Sequence, residues 1–88
     1  MKTHRLKSWP AFFHAILRGD KLHDLRRKEN HDFQVGDLLQ LNEYDPFAGK
    51  YTGRSLDRTI SFITSNDTPC AYSSAALDRD YVILSLKQ

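Results

Sequence analysis

Helical periodicity occurs in one short stretch of this chain. Trp9, Phe12, Phe13, Ile16 and Leu17 fall at i, i+3, i+4, i+7 and i+8, which is one face of a helix. Ser8 is a good N-cap, Pro10 is tolerated in the first turn, and Gly19 stops the helix by taking the left-handed conformation cheaply. The aromatic stripe is expected in the core rather than on the surface as a base-stacking platform.

What surrounds this helix reads as strands. Thr3–Lys7 is a short first strand and Leu22–Arg26 a second. After a charged loop, Phe33 and Val35 lead through the turn signal Gly36-Asp37 into a third strand, Leu38–Tyr44. Asp45-Pro46-Phe47-Ala48-Gly49 is turn chemistry, so Lys50-Tyr51-Thr52 can pair back as a hairpin, with Gly53 at a bulge or bend. Arg58–Thr64 alternates and puts Ile60 and Phe62 on one face. Ser65–Asp80 is polar loop with room for a short helix at Ser73–Leu77, and Tyr81–Leu86 closes the fold with Val82, Leu84 and Leu86 facing one way. Many short strands in a small chain favour a barrel, because closure removes exposed edges. The expected class is α+β, mainly β: a small barrel in the order β-α-β-β-β-β, its N-terminal amphipathic helix plugging or covering one end.

Eighty-eight residues make one domain, 1–88, with a thin core. Hydrophobic residues at 40% and charged residues at 27% are ordinary for a soluble globular protein. No apolar run approaches the roughly 18–20 residues that span a bilayer. Met1–Lys7 lacks the apolar stretch of a signal peptide, and Cys70 is alone, so no intrachain disulfide framework exists. The expectation is a cytoplasmic protein with no membrane partner. Charge is uneven: residues 1–28 carry eight Lys/Arg against two Asp, whereas residues 29–88 carry five against nine Asp/Glu. A basic face that meets phosphate would follow, unless folding scatters the charges.

The chemistry concentrates in Gly19-Asp20-Lys21-Leu22-His23-Asp24-Leu25-Arg26. Asp24 and Arg26 share a strand face, with Lys21 at the strand's mouth. An acid and two bases on a barrel rim can bind an anion, grip a base edge, run acid–base chemistry, or form a plain salt bridge. Lys21 needs no unusual pKa to hold phosphate, but as a base or nucleophile it needs burial or a neighbouring cation. Arg26 suits bidentate recognition of phosphate or a guanine edge; its alternative is pairing with Asp24. Arg27 points to the other face. Asp37 is expected to cap loop amides and Phe33 to pack. His4, His14, His23 and His31 lack the paired spacing of zinc ligands, so no metal and no cofactor is expected. His4 and Lys7, on the first strand, are candidates to line the same cleft as the Asp24 strand.

Gly19-x-Lys21-x-x-Asp24-x-Arg26 resembles the Gly-x-Lys-x-x-Glu-x-Arg signature of ASCH domains, which are PUA-like β-barrels. The resemblance extends through His4-x-Leu6-Lys7, Phe13 and Ile16, Asp32-Phe33-x-Val35-Gly36-Asp37, Glu43-Tyr44-Asp45-Pro46, Tyr51-Thr52-Gly53-Arg54 and Tyr81-Val82-Ile83-Leu84. It is closest to short single-domain ASCH-like proteins of bacteria and phages, largely of unknown function. Asp24 stands where the signature has Glu, and Glu29-Asn30-His31 where Asn-Asp-Arg is usual. The resemblance implies a PUA-like fold and binding of RNA or a nucleotide, with Lys7, Lys21, Asp24, Arg26, Arg27, Lys28 and His4 as ligand-binding candidates. It also implies an alternative: a small amidohydrolase acting on a modified nucleoside such as N4-acetylcytidine, or a ribonuclease, with Lys21 and Asp24 catalytic. Amide-hydrolysing relatives have threonine three residues after the lysine, where Asp24 accepts but does not donate. Their glutamate matches no motif here; Glu43 is a candidate by location alone. A third expectation is a phage or host protein-interaction scaffold, since fold does not fix function.

Overall fold

A computed structural model describes residues 1–67 and 73–88, with side chains in the second segment from residue 75 onward. Cys70, Ala71 and Tyr72 lie outside the described residues. The elements are β1 (Thr3–Ser8), α1 (Pro10–Arg18), β2 (His23–Arg27), β3 (Leu38–Asp45), β4 (Lys50–Ser65), α2 (Ser73–Ala76) and β5 (Tyr81–Lys87). The expected strand and helix order holds, and the short helix for which Ser73–Leu77 had room is α2. The strands form one curled, half-barrel sheet in the order β1-β3-β4-β5-β2. β1 runs parallel to β3, and the other pairs are antiparallel. The two edge strands are therefore β1 and β2, which flank α1 in the sequence. They are tied together by Arg26, whose Nη2 donates to the Lys7 carbonyl at 2.8 Å.

Alternation along the strands builds the core. Leu39 and Leu41 on β3, Ile60 on β4 and Leu84 on β5 are essentially inaccessible, and Val82 and Leu86 join them. Phe33, ahead of β3, packs into the same cluster, with Leu6 and Ile63 partly buried against it. Two residues of α1, Phe13 and Ile16, complete it at 1% exposure each.

The rest of the aromatic stripe does not reach the core. Trp9, Phe12 and Leu17 are 55%, 51% and 43% exposed. One helical residue is about 100° of rotation, so Phe12 beside Phe13 and Leu17 beside Ile16 are swung off the narrow face that the sheet receives. Trp9 is not helical at all: it is the N-cap, with extended backbone (φ −67°, ψ 150°) and no side-chain capping bond. Ser8 is the last residue of β1 rather than the cap; it is buried and partnered with Glu43 of β3. The C-terminus does end as expected. Gly19 has φ +85°, and the amides of Gly19 and Asp20 donate to the carbonyls of Ile16 and Ala15, the two bonds of a Schellman motif.

Two bulges adjust β4. Between Ile60↔Leu86 and Phe62↔Ser85 an extra residue enters, so Ile60 is buried while Phe62 is 61% exposed, although strict alternation would have put both on one face. Between Asn42↔Ser55 and Tyr44↔Tyr51, β3 contributes only Glu43 while β4 contributes Thr52, Gly53 and Arg54. Gly53 has φ +94° there, a conformation glycine takes without strain.

Candidate functional site

Where β1, β2 and the start of α1 meet, a cleft of about 270 Å³ is lined by Lys7, Ser8, Trp9, Phe12, Asp24, Leu25 and Arg26. Its floor is an ion pair. The Arg26 Nε donates to Asp24 Oδ2 at 2.6 Å, with side chains 21% and 9% exposed. Nη2 is spent on the Lys7 carbonyl, which leaves Nη1 without a partner among the described residues. The guanidinium is thus oriented by one carboxylate and one carbonyl before any ligand arrives. The Lys7 ammonium lies 4.2 Å from the centroid of the Tyr44 ring, a cation–π placement. Trp9 and Phe12 stand exposed at the mouth.

The structure brings together Lys7, Asp24 and Arg26 and sets the other sequence candidates apart. The Lys21 ammonium donates to the His23 carbonyl at 2.7 Å and lies 5.9 Å from the Phe12 ring; it neighbours the cleft without lining it. Asp24 is engaged by Arg26, not by Lys21. Arg27 is exposed, and Lys28 pairs with Asp67 at 3.3 Å beside a different cavity.

His4 does not share the cleft with Lys7. Its side chain is buried, with Nε2 donating to Asp37 Oδ2 at 2.8 Å and Nδ1 3.0 Å from His31 Nδ1. Asp37 also accepts from the amides of Lys2 and Gln34, as expected of a residue that caps loop amides. Burial pushes its carboxyl pKa up, but the hydrogen bonds from His4 and the two amides outweigh it, and the pKa is held below the ordinary carboxylate value. With Asp37 ionised, His4 presents a proton on Nε2 to it, and the Nδ1–Nδ1 contact with His31 needs one ring to donate and the other to accept. His31 also stacks on Phe33 with centroids 5.1 Å apart. Glu29, at φ +47°, sits in the tight turn that delivers His31.

A second polar cluster joins Glu43, Thr52 and Arg54 to His14. Glu43 is 4% exposed; Oε1 accepts from Thr52 Oγ1 at 2.6 Å and Oε2 lies 2.9 Å from His14 Nε2. Arg54 Nη1 is 3.1 Å from the same His14 nitrogen, and the guanidinium carbon is 5.3 Å from the Phe13 centroid. One ring nitrogen cannot donate to Glu43 and accept from Arg54 together. A buried carboxylate left unsatisfied is the costlier outcome, so His14 donates to Glu43 and Arg54 stays open to solvent. The bulge produces this arrangement by turning both Thr52 and Arg54 to flank Glu43. Glycine within Thr52-Gly53-Arg54 was the signal in the sequence; the partner His14, on a helix 38 residues upstream of Thr52, had none. No cluster of His, Cys, Asp or Glu among the described residues could hold a metal ion. No helix among them is long and apolar enough to cross a membrane.

These features define a small α+β protein, mainly a half-barrel β-sheet, with an ion-paired cleft where its edge strands meet. A family model described as a domain of unknown function (DUF3850) matches residues 3–86, and the chain belongs to that family. It is also similar to an "uncharacterized 12.9 kDa protein in GpA 3′ region" of Escherichia phage P2, at 32% identity over 63 residues. That similarity covers 72% of this chain and 55% of the phage protein, so the chain spans about half the length of that curated relative.

Proposed function

We propose that this protein binds RNA or a nucleotide in the cleft between β1, β2 and α1. The observation that carries the reading is Arg26: half-buried, fixed on Asp24 and on the Lys7 carbonyl, and lining a cleft beside the Lys7 cation and two exposed aromatic rings. A pre-oriented guanidinium recognises phosphate or a base edge with little ordering cost. The resemblance of Gly19–Arg26 to the ASCH signature supports the same reading. Asp24 acts here by holding Arg26, a role its shorter side chain meets at 2.6 Å. Arg27 and Lys28 would serve only as long-range positive charge, while Lys21 extends the cationic rim beside Phe12. Cytoplasmic location accords with such a ligand.

Filter binding of short RNAs across a salt series tests this. Affinity is expected to fall linearly in log–log form as salt rises, and Arg26→Ala is expected to weaken it by tenfold or more. Absent binding, or binding indifferent to salt and to Arg26→Ala, would refute the reading.

A further inference from the structure

The cleft is not the only cavity beside Trp9 and Phe12. An apolar groove of about 440 Å³ is also lined by them, together with Pro10 and Ala11 of α1 and Pro46 and Phe47 of the β3–β4 turn. The same two rings therefore line both the Arg26 cleft and the groove. Phe47 is fully exposed, yet its position is held: Asp45 Oδ1 accepts from the amides of Phe47 and Ala48 at 2.9 and 3.2 Å. Asp45, the charged side chain lining the groove, is thus occupied with the turn.

We propose that the groove stacks the base next to the one held in the Arg26 cleft, so that the ligand is a single-stranded stretch of nucleic acid. This rests on the nucleic-acid reading of that cleft. Flat aromatic and proline walls with few polar atoms suit the π-face of a base and read no hydrogen-bonding edge. Cations beside the first site and rings shared between both sites match what a single strand presents: backbone phosphate with successive unstacked bases. A mononucleotide fills only one of the two cavities. A duplex keeps its base faces stacked and offers neither ring a partner.

Trp9 is the single tryptophan of the chain and lines both cavities, so its fluorescence reports on a ligand entering either of them. The probes are a nucleoside 5′-monophosphate, hexamers of U and of A in ribose and deoxyribose forms, and a short blunt duplex. Hexamers are expected to quench Trp9 and to bind at least about tenfold more tightly than the monophosphate. Phe47→Ala, which removes no packing contact, is expected to abolish that gain and leave monophosphate affinity unchanged. Equal affinity for hexamer and monophosphate overturns the inference and leaves the Arg26 cleft standing. A hexamer indifferent to Phe47→Ala, or a duplex that competes as well as a single strand, overturns it in the same way. Failure of every probe to bind removes both. A ribose preference identifies RNA as the source, and equal use of both sugars identifies single strands of either kind; both sustain the proposal.

Discussion

Replacing Asp37 with Asn keeps the shape of the side chain and removes its charge. Asp37 accepts three hydrogen bonds, from the amides of Lys2 at 3.0 Å and Gln34 at 3.1 Å and from His4 Nε2 at 2.8 Å. An amide has one oxygen to offer, and its NH₂ would face a donor. Hydrogen bonds to charged groups contribute roughly 1.5–3 kcal/mol each, so losing or inverting one while weakening the others costs about 2–3 kcal/mol. In a domain of this length that is a fall of about 10–20 °C in Tm. The pH dependence follows from the lowered carboxyl pKa. Its stabilisation is fully present above the unfolded value of 3.8 and is lost as pH falls through the still lower folded value. Thermal unfolding of both proteins by circular dichroism at pH 7, 5, 4 and 3 checks this. The gap is expected to hold from pH 7 to pH 5 and to close below about pH 3.8. A gap that persists undiminished at pH 3, or none at pH 7, would refute the reasoning.

Five other substitutions separate structural roles. Phe13→Ala is expected to cost about 3–5 kcal/mol in urea unfolding because it empties the core, whereas Phe12→Ala, half-exposed one residue away, costs under about 1 kcal/mol. Glu43→Gln keeps an acceptor for Thr52 but loses the charge-assisted bond from His14, a loss of about 1–2 kcal/mol, while His14→Ala leaves the buried carboxylate short of a donor and costs at least as much. Gly53→Ala meets open space but must hold φ +94°, so about 1 kcal/mol is expected to appear as a lower urea midpoint with unchanged slope.

Much of the architecture was legible in local pattern. The helix at Pro10–Arg18, its glycine stop and the strands of the sheet came from periodicity and turn residues, because backbone preference and alternation act over a few residues. The adjacency of Asp24 and Arg26 was readable for the same reason: two residues on one strand face must meet. The errors share a cause as well. Phe12 and Phe62 follow good local patterns yet face solvent, one because the sheet receives only a narrow face of α1 and the other because a bulge flips strand parity. Neither the width of a contact nor an inserted residue in a ladder leaves a reliable trace in hydrophobicity.

Local pattern therefore dictates the set of elements and supplies the cations and acid of the Gly19–Arg26 segment. Which of those residues work together is settled by the assembled fold. Sheet order made β1 and β2 the two free edges, and that placed Lys7 against Arg26 while burying His4 with Asp37 and His31. It also joined His14 of the helix to Glu43 and Thr52 of the hairpin. Such pairings join residues distant in the chain, and their geometry comes from packing a whole sheet around one core, which no short window of sequence encodes.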